Sequence, residues 1–170
     1  MARLSPTALR RRAGQVRCLF LDIDGVLPDG KLYLGPDGAE FKTNYVRDGL
    51  GIKLLLQAGI KVAIISGRAS AAMQQRLEYL GVTEIVLANE DKLPVYERIR
   101  DKLGLQDGQC AVMGDDVPDL PVMRRAALAC TVADAHPTAL KAAHWVSRHP
   151  GGQGAVREAA DLILAAQGRA

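Results

Sequence analysis

Two pairs of carboxylates are the first residues in the sequence whose types and spacing suggest chemistry. Asp22 and Asp24 lie in an Asp-Ile-Asp-Gly segment after one apolar run, and Asp115 and Asp116 follow another. Carboxylates that share a crevice repel each other unless a cation joins them. Hard oxygen ligands select Mg²⁺ or Ca²⁺, and a site with few ligands and room for phosphate oxygens favours Mg²⁺. A single acid at a strand exit caps a turn or helix about as often as it binds a metal, so only the whole set of carboxylates indicates a metal site.

A hydroxyl, a glycine and a lysine are candidates for binding an anion. Ser66 and Gly67 follow the apolar run 61–65, and a hydroxyl with free backbone N–H groups at a helix start binds anions well. A plain N-cap explains the serine equally well. Lys92 begins a predicted helix, where a cation opposes the helix dipole. This makes Lys92 a candidate partner for phosphate and carboxylates, although a solvated position is the common case for lysine.

These residue types suit phosphoryl transfer, in which catalysis is mainly positioning and charge neutralisation. One aspartate attacks phosphorus and forms an aspartyl-phosphate that water then hydrolyses. A second aspartate protonates the leaving alcohol and later deprotonates the water. The pattern indicates a hydrolase. A phosphoacceptor signalling domain, which uses a comparable set without turnover, and a non-enzymatic pseudo-phosphatase module are the more remote alternatives.

Short apolar runs that alternate with helical patterns supply the elements to position these residues. Strands are predicted at 18–21, 61–65, 84–87, 110–113 and 128–131. Helices are predicted from Asp48 to Gly59, through Met73–Leu80, from Asp91 to Leu103, near 118–126, from Pro137 and over 153–167. The alternation predicts an α/β fold with a mostly parallel sheet. Ligands bind beyond the carboxyl ends of such strands, which brings together 22–25, 66–68 and 114–116.

Composition indicates one globular domain over residues 16–168. The chain has 170 residues, is 48% hydrophobic and 24% charged, and carries a net charge of +3. No Lys/Arg run interleaved with aromatics suggests nucleic acid, and no apolar run reaches the roughly 18 residues of a membrane helix. Cys18, Cys110 and Cys130 lie in apolar runs, which predicts buried, reduced thiols in a cytoplasmic protein.

The first fifteen residues are predicted to form a flexible basic tail. The first seventeen residues carry five arginines and no acid. An organelle transit peptide is the alternative, but the segment is short and has little apolar face.

A β-hairpin is predicted between the first strand and the first helix of the domain. Residues 31–34 and 39–43 flank Gly35-Pro36-Asp37-Gly38, a strong turn signal. The hairpin has no evident partner strands in the main sheet, so on sequence alone it is a small local flap.

The motifs follow the order of the haloacid dehalogenase superfamily: Asp22-Ile-Asp-Gly-Val, Ser66-Gly-Arg, Lys92 and Gly114-Asp-Asp-Val-Pro-Asp119. From about Val16 to Gly168 the chain resembles the 3-deoxy-D-manno-octulosonate 8-phosphate (KDO 8-phosphate) phosphatase family. The segments that carry this resemblance are 22–30, Val46-Arg-Asp-Gly49, Val132-Ala-Asp-Ala-His-Pro137 and Gly151-Gly-Gln-Gly-Ala-Val-Arg-Glu158. It implies a capless, Rossmann-like three-layer α/β fold with the hairpin inserted after the first strand.

The resemblance implies roles for five aspartates and a Mg²⁺ cofactor. Asp22 is expected to be the nucleophile and a metal ligand. Asp24 is expected to be the acid/base and to bind the metal through its backbone carbonyl. Asp115 is expected to bind the metal, with Asp116 and Asp119 supporting the ligands from behind.

The resemblance also implies a small anionic sugar phosphate as substrate. Ser66 is expected to bind its phosphate and Lys92 to neutralise it. Arg68 and Arg157 are candidates for bidentate pairing with a substrate carboxylate, with a plain salt bridge as the alternative for each. The candidate substrate-binding residues are Gly67, Arg68, Arg47 and Arg157.

The family resemblance further implies a homotetramer. The hairpin, residues 31–43, is expected to help close the site of a neighbouring subunit, and the Gly-rich segment 150–158 is expected to cover the substrate. The departures from the family pattern are Pro28, Asn44-Tyr45, Ala88-Asn89 and Gln153. Several lie where the sugar would bind, so phosphates of nine-carbon sialic or deaminated sialic acids are the alternative substrates.

Overall fold

A six-stranded parallel sheet forms the centre of the computed structural model, which describes residues 3–169. Its strand order is β5-β4-β1-β6-β7-β8. The strands are β1 Cys18–Leu21, β4 Lys61–Ile65, β5 Glu84–Val86, β6 Cys110–Met113, β7 Leu128–Thr131 and β8 Trp145–Val146. Strand β1 lies between β4 and β6, with Leu21 level with Ile64 and Met113. Polar residues that follow these three strands therefore emerge side by side.

Helices flank the sheet in two groups. Helix α7 contacts both α1 and α2, and helix α5 contacts both α4 and α6. The helices are α1 Pro6–Gln15, α2 Val46–Gln57, α3 Ala71–Tyr79, α4 Lys92–Lys102, α5 Leu120–Arg125, α6 Pro137–Ala142 and α7 Ala155–Ala166. This arrangement confirms the predicted three-layer α/β fold with a parallel sheet.

The strand predictions hold because the central strands are buried on both faces. All residues of β1, β6 and β7 are buried, and a continuous apolar run identifies such strands in a sequence. Strand β8 was not predicted, because two half-buried residues that directly follow α6 carry no periodic signal.

The N-terminal segment differs from the flexible tail that the sequence suggested. Residues 6–15 form α1, which Ser5 caps by accepting a hydrogen bond from Ala8 N at 3.3 Å. Ala13 is fully buried, and Arg12 Nη1 donates to Ala127 O at 2.6 Å. The basic composition gave no sign that one face of this segment is apolar or that Arg12 hydrogen-bonds to the domain.

The predicted core cysteines are confirmed, since Cys18, Cys110 and Cys130 are all buried and free. Across residues 3–169, none of the helices has both the length and the apolar character needed to cross a bilayer.

The predicted hairpin is confirmed as a separate two-stranded sheet. It consists of β2 Tyr33–Leu34 and β3 Glu40–Phe41, which pair antiparallel. Gly35 N donates to Ala39 O at 2.8 Å across the turn. Several apolar side chains on the hairpin are exposed: Leu32, Tyr33, Leu34 and Phe41.

Candidate active site

The loop after β1 places Asp22 at the floor of a cavity of about 660 Å³. Asp22 N donates to Met113 O at 3.0 Å, which extends the pairing of β1 with β6 by one residue. Gly25 has a φ of 86°, and a Cβ there would overlap the carboxylate of Asp115. Glycine at this position therefore allows the two acidic loops to approach each other closely.

Lys92 joins two of the carboxylates. Its Nζ lies 2.8 Å from Asp22 Oδ1 and 2.6 Å from Asp119 Oδ1, and its side chain is 5% exposed. Burial alone would lower the pKa of Lys92, but the charges and hydrogen bonds of Asp22 and Asp119 raise it. A buried, charged lysine is stable only with such partners, which explains its position at the start of α4.

Asp119 holds the second acidic loop in shape. Its Oδ2 accepts hydrogen bonds from the backbone N–H groups of Asp115 at 3.0 Å and Asp116 at 3.2 Å. A Cβ on Gly114 would overlap the Asp119 carboxylate, so the glycine makes room for this arrangement. With both oxygens already bonded, Asp119 orients its neighbours and Lys92.

The electrostatics of the cavity fit a divalent cation. One oxygen each of Asp22, Asp115 and Asp119 lie within 4.8 Å of one another. Burial, and then the charge of Asp119, raise the pKa of Asp22 to about 6. Burial, and then the charges of Asp22, Asp119 and Asp116, raise the pKa of Asp115 to about 8. A bound cation would offset this repulsion, and carboxylate oxygens are the donors that Mg²⁺ prefers.

The carboxylate of Asp24 points away from this group. Its Oδ1 lies 2.6 Å from Lys42 Nζ, and its Oδ2 lies 3.8 Å from Arg68 Nε. A metal contact from Asp24 would thus come from its backbone carbonyl, as the family resemblance implied. Asp24 lines the same cavity as Asp22.

The loop after β4 places Ser66, Gly67 and Arg68 on the cavity wall. Ser66 is buried; its N donates to Val86 O at 3.0 Å, and its Oγ accepts from Arg68 N at 3.3 Å. Arg68 Nη2 donates to Glu40 Oε2 at 2.7 Å. The three residues predicted from the Ser-Gly-Arg motif therefore meet Asp22, Asp24 and Lys92 in one cavity.

Arg47 and Arg157 do not reach this cavity. Both line a different pocket of about 380 Å³, where Arg157 Nε donates to Asp161 at 2.8 Å and the Arg47 guanidinium lies 5.9 Å from the centre of the Tyr45 ring. The two arginines thus lie apart from the cavity that holds Asp22 in this chain, and their contact with a substrate stays a prediction.

Asp48, where the sequence predicted the start of a helix, has a different place in α2. It lies within that helix, is 1% exposed, and accepts hydrogen bonds from Gly154 N at 3.1 Å and Arg157 N at 2.8 Å. It thus binds the N-terminus of α7, the helix that packs against α2. Burial raises the pKa of Asp48, and these backbone N–H groups oppose the shift.

Two site residues were missed in the sequence. Glu40 and Lys42 flank Phe41 on the hairpin, and both reach the network around Asp24. The only available signal was their spacing, because residues two apart on a strand share a face.

The Gly-rich segment 150–158 packs directly against the loop that follows β1. Gly152 N donates to Val26 O at 3.0 Å, and a Cβ on Gly152 would come within 2.6 Å of Asp29 N. Asp134 accepts a hydrogen bond from Gly151 N at 2.9 Å. Glycine is required here because two backbone segments touch without space for side chains.

The parallel sheet, the paired aspartates after β1 and the buried lysine define a hydrolase of the haloacid dehalogenase class. The family model described as haloacid dehalogenase-like hydrolase matches residues 40–127, more than half of the chain.

The relatives narrow this class. The 3-deoxy-D-manno-octulosonate 8-phosphate phosphatase of Yersinia pestis is 46% identical over 92% of this chain and 84% of its own. That of Escherichia coli strain K12 is 44% identical over 93% of this chain and 84% of its own. The chain therefore belongs to the haloacid dehalogenase-like hydrolases and, within them, to the family of these phosphatases.

Solved structures agree with the sequence relatives. The crystal structure of the Yersinia pestis phosphatase matches with a TM-score of 0.94 and 45% identity, covering 95% of this chain and 88% of that one. A Moraxella catarrhalis phosphatase, solved with a magnesium ion, a phosphate ion and KDO, matches with a TM-score of 0.94 and 36% identity. That match covers 96% of this chain and 94% of the other.

Proposed function

We propose that this protein is a Mg²⁺-dependent phosphatase that hydrolyses KDO 8-phosphate to KDO and phosphate. The observation that carries the proposal is the buried Asp22–Lys92 pair, which lies in one cavity with Asp24, Ser66 and Asp115. The phosphatases that share 44–46% identity with the chain act on this substrate by name.

Asp22 is proposed to act as the nucleophile. Burial raises the pKa of Asp22, and the charge of Lys92, whose Nζ lies 2.8 Å from Oδ1, opposes that shift and favours the ionised carboxylate. The Asp22 carboxylate attacks phosphorus, the bond from phosphorus to the sugar oxygen breaks, and an aspartyl-phosphate forms. Lys92, the backbone N–H groups near Gly67 and the Ser66 hydroxyl balance the charge of the transferred phosphoryl group.

Asp24 is proposed to move the proton in both half-reactions. Its carboxyl group gives a proton to the departing sugar oxygen, which leaves as an alcohol. The resulting carboxylate then takes a proton from water, whose oxygen attacks phosphorus and releases phosphate and free Asp22. Mg²⁺, held by Asp22, Asp115 and the Asp24 carbonyl, would neutralise phosphate charge during both steps.

The setting of the reaction is also a proposal. KDO 8-phosphate hydrolysis belongs to the synthesis of lipopolysaccharide precursors, and we infer a cytoplasmic enzyme. A homotetramer, in which hairpin 31–43 reaches a neighbouring site, would cover the exposed apolar side chains of that hairpin. Light scattering on the purified protein tests this assembly, and a mass equal to one chain would contradict it.

Phosphate release from a substrate panel, with and without Mg²⁺, tests the function. The panel contains KDO 8-phosphate, sialic acid 9-phosphates, hexose phosphates and p-nitrophenyl phosphate. We expect Mg²⁺-dependent release with the highest kcat/KM for KDO 8-phosphate. A preference for a sialic acid 9-phosphate would support the phosphatase reaction but change the assigned substrate. Absence of release from every compound would contradict the proposal and favour a non-enzymatic phosphoacceptor or pseudo-phosphatase module.

A further inference from the structure

The hairpin presents two different faces. Glu40 on β3 and Lys42 just after it are two residues apart and point to the same side, whereas Phe41 between them points to the other and is 63% exposed. The side of Glu40 and Lys42 lies against the catalytic cavity of the same chain, since both residues pair with groups that line it.

The side chain of Lys42 is buried, although most of the hairpin around it is exposed. Its side chain is 3% exposed, whereas that of Lys31 on the same hairpin is 73% exposed. Lys42 Nζ lies 2.6 Å from Asp24 Oδ1 and 3.3 Å from Glu40 Oε1. Burying an ammonium group is costly without a charged partner, so the Asp24 carboxylate holds the lysine in place and is held by it.

Asp24 belongs to a closed network of four charged side chains whose signs alternate. Lys42 contacts Asp24 and Glu40, and Arg68 contacts the same two acids, at 3.8 Å and 2.7 Å. Arg68 comes from the loop after β4, so the network ties the hairpin and that loop to one carboxylate. Each side chain in such a closed network restricts the rotation of the others.

The two oxygens of Asp24 are unequal. Oδ1 lies against Lys42, whereas Oδ2 is buried and accepts no hydrogen bond from any residue between 3 and 169. A buried acceptor without a donor is rare in proteins and is often found where a reacting group completes the bonding. Oδ2 is therefore the oxygen with capacity for the leaving sugar oxygen, and Lys42 determines which oxygen that is.

We propose that Lys42 is a positioning residue that orients the Asp24 carboxyl group for proton transfer to the leaving group. The hairpin thus completes the site of its own chain through β3, whatever its apolar side chains contact. The inference rests on the proposed phosphatase function, since it assigns Lys42 a part in that reaction. Lys42 does not line the cavity itself, so its effect passes through Asp24.

The test compares two leaving groups in the variants Lys42→Met and Lys42→Arg. A sugar alkoxide needs a proton to leave, whereas p-nitrophenolate leaves without one. We expect Lys42→Met to lower kcat/KM for the sugar phosphate, which reports the first half-reaction alone, by about 10²-fold, as misplacing a catalytic group commonly does. The loss for p-nitrophenyl phosphate should be much smaller, and Lys42→Arg should restore part of the sugar phosphate rate.

Lys31→Met is the matched control, because it removes an exposed lysine from the same hairpin. It should leave both rates unchanged. Equal losses of kcat/KM for the two substrates in Lys42→Met would show that the leaving group's proton is not what Lys42 affects and would overturn the inference, as would unchanged kinetics. An inactive wild-type protein would instead refute the phosphatase function, so the two failures are distinguishable.

Discussion

At the scale of single residues, the main feature of the site is that the fold holds three carboxylates close together. Asp22, Asp115 and Asp119 converge within 4.8 Å, and Lys92 balances only part of their charge. Folding alone would separate such groups, because like charges in a buried site cost free energy. Their persistence indicates that catalysis, with a cation present, is what the arrangement serves.

Replacement of Asp22, the proposed nucleophile, gives the most direct prediction. Asp22→Asn keeps the size of the side chain and removes its negative charge, so phosphate release should fall to background while the fold is retained. Steady-state phosphate release and circular dichroism measure the two effects. Asp101→Asn, which changes an exposed aspartate on α4, is the matched control and should keep full activity. Turnover by Asp22→Asn near the wild-type rate would refute the assignment.

Alanine substitutions at two glycines distinguish the effect of backbone strain from the effect of a clash in the site. Gly25 and Gly38 have similar φ values, 86° and 75°, so alanine costs about 1 kcal/mol of folding free energy at either position. Only at Gly25 would the added Cβ overlap Asp115, whereas nothing lies within 4 Å at Gly38.

We therefore expect Gly25→Ala, and not Gly38→Ala, to raise the Mg²⁺ concentration for half-maximal activity by about tenfold or more. A magnesium titration of phosphate release measures this. Identical titrations for the two variants would show that Asp115 does not bind the metal.

At the scale of secondary structure, the sequence predicted what depends on local pattern and missed what depends on distant contact. Strands β1, β4, β6 and β7 have the bounds expected from their apolar runs. Helix α1 was missed because its stability comes from α7, about 150 residues away in the chain.

The site shows the same division between local pattern and distant contact. Asp22, Ser66 and Asp115 follow strands, so the topology alone brings them together. The pairing of Lys42 with Asp24 could not be predicted, because it depends on how the hairpin folds back over the sheet. That Arg47 and Arg157 line a separate pocket could not be predicted either, because the direction of a helical side chain is set by packing.

The loop after β5 contains a strained residue that offers a stability test. Ala88 has a φ of 55°, a conformation that costs an L-residue roughly 1 kcal/mol and that glycine adopts freely. Ala88→Gly is expected to change the free energy of unfolding by about 0 to +1 kcal/mol, because the relief of strain is offset by the greater freedom of the unfolded chain.

Ala72→Gly, on the exposed side of α3, should lower the free energy of unfolding by about 1 kcal/mol and serves as the opposite control. Urea unfolding of both variants measures the difference. Equal losses would contradict the strain at Ala88.

At the scale of the whole molecule, one buried histidine joins the N-terminal helix to the far side of the sheet. His144 Nδ1 accepts from Ala129 N at 3.0 Å, and its Nε2 lies 3.2 Å from Arg12 Nη1. Burial, and then the charge of Arg12, lower the pKa of His144. Protonation would remove the acceptor at Nδ1 and place two cations together.

Stability should consequently fall in mild acid. Because the pKa of His144 is lower in the folded state than in the unfolded chain, its contribution is complete above the unfolded value of about 6.5 and is lost as the pH falls below it. His144→Asn, which retains an acceptor but does not titrate, should reduce the loss of unfolding free energy between about pH 7 and pH 5. Urea unfolding at each pH measures this, with the exposed His149→Asn as control. An unaltered pH dependence in His144→Asn would contradict the prediction.

The sheet ends on its two shortest strands, β5 with three residues and β8 with two. Their outer edges offer very few unpaired N–H and C=O groups to a passing extended chain. Edge-to-edge pairing between molecules, a common start of aggregation, is thereby disfavoured even though the strands inside the sheet are strongly apolar. Specific contacts between copies are therefore expected to form through side chains and not through the edges of this sheet.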